Sequence, residues 1–327
     1  MPIPVVLDVD TGVDDACALL LAARHPGLDL RAVSCVAGNA DVDQVVRNTL
    51  TVLAAAGRDD VTVARGADRP LLEPARPARH VHGHDGMGDL GLPAPARAAD
   101  PRHAVELLRD VLRASAGTGE RITLVPLAPL TNVALLLRTH PEVAAGLERI
   151  VFMGGAALVG NATAAAEFNV WHDPEAAAIV LDAATDLGVP VTMYGLDVFY
   201  GPLVSLDQAR MLTASADPAA QLAGRLIATQ CHRFAQDAAT IGDAGAVCAV
   251  VAPEALTTRR LPVRVELTGA WTRGQTVVDR RDQQSDLAHD PHGLAPAVID
   301  VALDVDGDRY TGLWLRTLGP EPSPQPS

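Results

Sequence analysis

Four carboxylates fall within eight residues near the start of the chain. Asp8, Asp10, Asp14 and Asp15 lie in the run VVLDVDTGVDDACALLLAA. An apolar stretch precedes them, Gly12 stands among them and a helical pattern follows, so they crowd around a turn between a strand and a helix. Capping explains Asp14 and Asp15, whose charge favours the positive N-terminal end of a helix. It does not explain Asp8 and Asp10 at the carboxyl end of a buried strand, where like charges need a cation to offset their desolvation. A hard cation held by oxygen ligands fits, and the flexible, high coordination of Ca²⁺ suits a turn built from several carboxylates.

The elements around this turn alternate. Pro4 to Val9 is apolar, Asp14 to Arg24 is helical in period and Leu30 to Ala37 is apolar again, which makes a βαβ unit. A helix near Asp43 to Ala56, a strand at Val61 to Ala64, a helix near His103 to Arg113 and strands at Ile122 to Leu127, Arg149 to Met153 and Pro190 to Tyr194 continue the series. Two helical stretches between Ser205 and Gln236 precede strands near Leu261 to Leu267, Gln275 to Asp279 and Val298 to Val305, then a short helix with Tyr310, Leu313 and Leu315. The pattern predicts an α/β fold with an open, mainly parallel but mixed central sheet, helices on both faces and ligands beyond the carboxyl ends of the strands. One domain is expected over 1–318, with long loops at Gly66 to Pro101 and Gly154 to Asn169. The Pro-rich end GPEPSPQPS (319–327) is expected to be a disordered tail.

Composition excludes several function classes. The chain has 327 residues, 26 Lys+Arg against 40 Asp+Glu and a formal charge of −14, which disfavours nucleic acid and anionic membranes as partners. No lysine occurs, so Schiff-base chemistry and a P-loop are ruled out. The first carboxylate arrives at Asp8 and no apolar run reaches membrane length, which predicts a cytoplasmic protein. Cys17, Cys35, Cys231 and Cys248 are far apart and are read as small buried residues rather than a zinc site or disulfide framework.

The acidic turn D-V-D-T-G-V-D-D-A resembles the N-terminal signature of the nucleoside hydrolases, with Thr11 where proline is usual. Similar to that family, in order and spacing over roughly residues 15–280, are VAGNAD (36–41), VHG (81–83), LVPLAPLTNVA (124–134), VFMGG (151–155), GNATAAAEFNVWHDPEAA (160–177), LDV (196–198) and TRGQTVVDRR (272–281). VALDVD (301–306) looks like its final strand. The resemblance implies Ca²⁺-dependent cleavage of the N-glycosidic bond of a ribonucleoside, giving ribose and free base. It implies that Asp10, Asp15, the Leu127 carbonyl and Asp243 ligate the metal, and that Asp10 takes the proton of an attacking water activated by the cation. Asp14, Asn39, Asn161, Glu167 and Asn169, with Met153 beside them, match the positions that hold the ribose, whose ring becomes positive in an oxocarbenium-like transition state. Relatives are homodimers or homotetramers, so the same is expected here.

One departure concerns the leaving base. Where relatives place His or Trp before the last metal Asp, this chain has Gly242, which leaves His82 as the expected donor to the base. His80 and His84 are expected to face solvent, while His232 and Phe234 lie in a segment where the family keeps base contacts. Trp171 and Trp271 are expected to be packing residues. Two rival readings stand beside the hydrolase. D-V-D-T-G-V and I-G-D-A-G also resemble haloacid-dehalogenase-type phosphatases, which would use Asp8 as nucleophile with Mg²⁺. Against that, no lysine is present and the EFN and VVDRR matches stay unexplained. The second rival is a non-catalytic nucleoside or ribose binder, motivated by Gly242.

Overall fold

The computed structural model describes residues 1–281 and 295–319; the rest of the expected tail, 320–327, lies outside the described residues. Eleven strands occur among these residues: β1 (Ile3–Val9), β2 (Leu28–Cys35), β3 (Thr62–Arg65), β4 (Ile122–Pro126), β5 (Leu147–Met153), β6 (Val191–Tyr194), β7 (Leu203–Ser205), β8 (Ala238–Thr240), β9 (Leu256–Val265), β10 (Thr276–Val278) and β11 (Ala297–Val305). Nine form one sheet in the order β10-β9-β11-β6-β5-β4-β1-β2-β3, while β7 and β8 pair separately. Pairing is parallel from β3 through β11, and β9 runs antiparallel to both β11 and β10. The expected open, mixed, mainly parallel sheet is thus what forms.

Alternation along β1 shows how the sheet is clothed. Val5, Leu7 and Val9 join a core under the helices Val13–Arg24, Val42–Ala55, Pro218–Arg233, Ala244–Val251 and Gly307–Leu318, whereas Val6 joins a second core under Ala104–Thr118, Thr131–Thr139 and Pro174–Asp186. Successive side chains of a strand point to opposite faces, so a strand covered on both reads as a continuous apolar run. The last helix is 12 residues long rather than short, and it is anchored by buried Trp314, whose Nε1 donates to the Cys17 carbonyl at 3.1 Å. Six of the helices, three of them shorter than eight residues, are not evident from periodicity. Ala244–Val251, for example, is buried at all but its last residue and presents no polar face to set a period.

Chain direction decides where a site can form. From β1 the chain builds outward to β2 and β3 on one side, and β4, β5 and β6 build outward on the other. The carboxyl ends of β1 and β4 therefore border the point where strand order reverses, at which the flanking loops diverge and leave a crevice.

All four cysteines are free and buried, and burial pushes the Cys35 thiol up to about 12. A buried neutral thiol is a poor nucleophile. Ellman's reagent is therefore expected to find essentially no reactive thiol in the native protein and four after denaturation. Rapid reaction of a native thiol would contradict this packing.

Candidate active site

The crevice gathers the acidic turn. Asp10 follows β1, Asp14 and Asp15 open the helix Val13–Arg24, and Asp243 precedes the helix Ala244–Val251. One carboxylate oxygen from each of Asp14, Asp15 and Asp243 lies within 4.8 Å of the others. Asp15 also braces the turn, since its carboxylate accepts from the backbone N–H of Asp10 at 3.2 Å and of Gly12 at 2.9 Å. Asp10 is fully buried, and Asn39 grips both of its oxygens, through its backbone N–H at 2.7 Å and through Nδ2 at 3.1 Å. The Asn39 amide reaches Asp15 as well, at 3.2 Å.

Electrostatics make this cluster unstable on its own. Burial, reinforced by neighbouring carboxylates, raises Asp15 to about 7 and lifts Asp10 and Asp243 well above the usual carboxylate range. Buried like charges either take up protons or hold a cation, and the donor set consists of oxygens, as a hard divalent ion requires. Asp14 thus sits among the metal candidates, whereas the sequence places it with the ribose.

The other expected residues converge from neighbouring loops. Asn169 Nδ2 donates to the Leu127 carbonyl beyond β4 at 3.0 Å and to the Met153 carbonyl at the end of β5 at 3.1 Å, and it touches Met153 Sδ at 3.4 Å. Glu167 caps the short helix Phe168–His172, accepting from the N–H groups of Gly155, Asn169 and Val170. Burial raises it to about 7 despite those bonds. Asn161 is exposed at the rim, its Oδ1 accepting from Phe168 N–H at 2.9 Å.

His82 is buried in the short helix Arg79–His82, whereas His80 and His84 are exposed. Its Nδ1 accepts from Val13 N–H at 3.2 Å and lies 3.7 Å from Asp14 Oδ1. The shorter contact requires a lone pair on Nδ1, so the proton sits on Nε2 and the ring is neutral. Burial works in the same direction, lowering its affinity for a second proton against the opposing pull of Asp14. Such a ring donates a hydrogen bond more readily than it transfers a proton.

Glycines permit the close approach. A Cβ on Gly38 would stand 1.9 Å from Asp10 Oδ2, and one on Gly12 would stand 2.6 Å from His82 Nδ1. Gly38→Ala must push the Asp10 carboxylate aside. Misplacement of a catalytic group by about 1 Å costs about 10²-fold in rate, so that variant is expected to lose turnover by at least this factor. Its kcat/KM, measured beside its Tm, checks the effect, and an unimpaired Gly38→Ala enzyme would remove Asp10 from the chemistry.

Asp8 plays a different part. It is fully buried inside the sheet and accepts from Ser34 Oγ at 2.5 Å and Asn132 Nδ2 at 2.8 Å, which denies it the access that a covalent nucleophile needs. Thr11, where proline is usual, is buried and bonded to Thr49 through their hydroxyls at 2.6 Å. The expectation that both tryptophans pack is corrected at Trp271, which lies in the turn between β9 and β10 and is 90% exposed. Trp171 is half-buried under the Arg76 guanidinium, 5.1 Å from its ring centroid. His232 and Phe234 are exposed at the end of Pro218–Arg233. Ser34, Asn132, Phe199 and Tyr200 escape sequence reasoning, since each becomes significant only through its neighbours in space.

The family model described as inosine-uridine preferring nucleoside hydrolase matches residues 5–312. The chain belongs to this family. A pyrimidine-specific ribonucleoside hydrolase of Citrobacter koseri is 40% identical over 284 residues, 85% of this chain and 89% of that one. A plant nucleoside hydrolase superposes with a TM-score of 0.88 at 28% identity, covering 98% of this chain and all of that one. A purine-preferring ribonucleoside hydrolase from Gardnerella vaginalis gives 0.85 at 28% identity, covering 96% and 98%. Membership makes the chain a hydrolase of N-glycosyl compounds and excludes the phosphatase reading. Among the described residues, no helix is long and apolar enough to cross a membrane.

Proposed function

We propose that this nucleoside hydrolase cleaves the N-glycosidic bond of ribonucleosides to ribose and free base with Ca²⁺ as its metal. The observation that supports this most directly is the convergence of Asp14, Asp15 and Asp243 beside the Asn39-clamped Asp10, at the reversal of strand order. Asp10, Asp15, Asp243 and the Leu127 carbonyl would hold the cation, with Asp14 able to join them. When bound, it would polarise a water and anchor ribose hydroxyls.

The chain's own groups do the rest. Asp10 accepts the proton of the attacking water, and its burial makes it a stronger base than a solvated carboxylate. Asp14, Asn39, Asn161, Glu167 and Asn169, with Met153 beside them, hold the ribose, and their oxygens favour the positive ring of the transition state over the neutral ground state. His82 donates from Nε2 to the departing base. One hydrolase domain over 1–318, acting in the cytoplasm as a homodimer or homotetramer, completes the proposal; sedimentation tests the assembly.

The base is the open variable, because relatives named for pyrimidine and for purine substrates are both similar to this chain. Chromatographic assay of base release from a panel of purine, pyrimidine and modified ribonucleosides, with and without chelator, tests the reaction. Chelator-sensitive release of a base supports it. If no base appears while nucleosides still raise Tm, the protein is a binder, the reading that Gly242 favours.

A further inference from the structure

The absence of a side chain at position 242 is built into the backbone, and another residue occupies the resulting space. Gly242 has φ 55°, and a Cβ there would lie 2.6 Å from Cβ of Asp14 and 3.0 Å from Cζ of Phe199. Phe199 ends the short helix Leu196–Phe199 beyond β6. Thr240 staples the two turns together, its Oγ1 donating to the Phe199 carbonyl at 2.6 Å and accepting from Gly242 N–H at 2.9 Å. The Phe199 ring meets the next ring, Tyr200, edge-on, with centroids 5.0 Å apart and planes at 82°.

These two rings have different surroundings. Phe199 is 8% exposed and serves as backing, whereas Tyr200 is 56% exposed at the rim. The Tyr200 hydroxyl lies near the Asn161 side chain, and Asp14 and Glu167 are close enough to act on it electrostatically. Tyr200 therefore flanks, through the Phe199 ring beside Gly242 and Asp14, the carboxylate cluster that His82 also borders through Asp14. Buried chain closes the inner side of that cluster, at Asp10, Asp15 and Asn39. A ribose anchored there directs its base outward, to the rim.

We infer that Tyr200, backed by Phe199, is the base-facing specificity residue of this site, supplying the ring that position 242 lacks. The inference rests on the proposed function and names the part of the site that reads the base. The recognised group is a planar heteroaromatic base, which meets the ring by stacking and the hydroxyl by a hydrogen bond to its edge.

Wild type, Tyr200→Ala and Tyr200→Phe are to be compared for steady-state hydrolysis of a purine and a pyrimidine ribonucleoside. Binding of the same nucleosides and of free ribose is to be followed by calorimetry, with Tm as the check on folding. Loss of a base stack weakens binding by about tenfold or more. Tyr200→Ala is expected to raise nucleoside KM and Kd by that factor while ribose affinity stays within about twofold of wild type. Tyr200→Phe is expected to recover most of the affinity and to shift the purine-to-pyrimidine ratio of kcat/KM. Equal loss for ribose and nucleoside, no loss for either, or failure of Tyr200→Phe to recover binding would overturn the assignment. If wild type released no base, the hydrolase reading would fail, yet the calorimetric contrast between ribose and nucleoside would still decide the role of Tyr200.

Discussion

Asp10→Ala is expected to lower base release by about 10³-fold while leaving the fold intact. Removal of a positioned general base costs 10²–10⁴-fold, roughly, and the upper half of that range applies to a group held as tightly as this one. Both oxygens of Asp10 are gripped by Asn39, at 2.7 and 3.1 Å, so the carboxylate has little freedom to misplace itself in the wild type. Its proton affinity is raised by burial first and by Asp15 second, which makes it a stronger base than a solvated carboxylate. The same repulsion means that the alanine variant loses an unfavourable charge, and its Tm in the absence of metal should not fall. Steady-state assay on the nucleoside that wild type cleaves best measures the effect, with Asp10→Asn as the isosteric companion. An alanine variant retaining a tenth of wild-type turnover would sink the assignment of Asp10 as base.

Removal of divalent cations is expected to abolish turnover and lower thermal stability together. Asp14, Asp15 and Asp243 approach within 4.8 Å, and two of the three are almost wholly buried. A cation binding the folded chain at a hundred times its Kd stabilises it by about 2.7 kcal/mol. For a chain of this size that corresponds to about 4 °C in Tm. Calcium added to chelated protein should restore both activity and that shift. Asp243→Ala should abolish the shift, and its metal-free Tm should equal or exceed that of wild type, because one source of repulsion has gone. Differential scanning calorimetry with Ca²⁺, Mg²⁺ and chelator separates the cases. Full activity in chelator would show that the carboxylates serve some purpose other than a metal.

Much of the framework is legible in the residues. The apolar runs that become β1, β2, β4 and β5 are covered on both faces, and such strands announce themselves by continuous hydrophobicity. The acidic turn is equally plain, because helix capping accounts for only two of its four carboxylates. Helices without a polar face are harder to see: Ala244–Val251 is apolar at every position and buried at all but Val251, so no period marks it.

What the chain order by itself determined is the alternation of strands and helices, hence an α/β sheet with a crevice at its carboxyl edge, and the presence there of Asp10, Asp14 and Asp15. These follow from local chemistry, since hydrophobic period, turn residues and charge density act between neighbours in sequence. Only the tertiary structure decided that Asp14 joins Asp15 and Asp243, that Asp8 turns inward to Ser34 and Asn132, and that Trp271 stands in solvent. It also decided that His82 presents Nδ1 as an acceptor to Val13 and that Phe199 fills the space beside Gly242. Burial, proton affinity and hydrogen-bond direction belong to the surroundings of a side chain, and those are set by contacts between segments that the sequence keeps far apart.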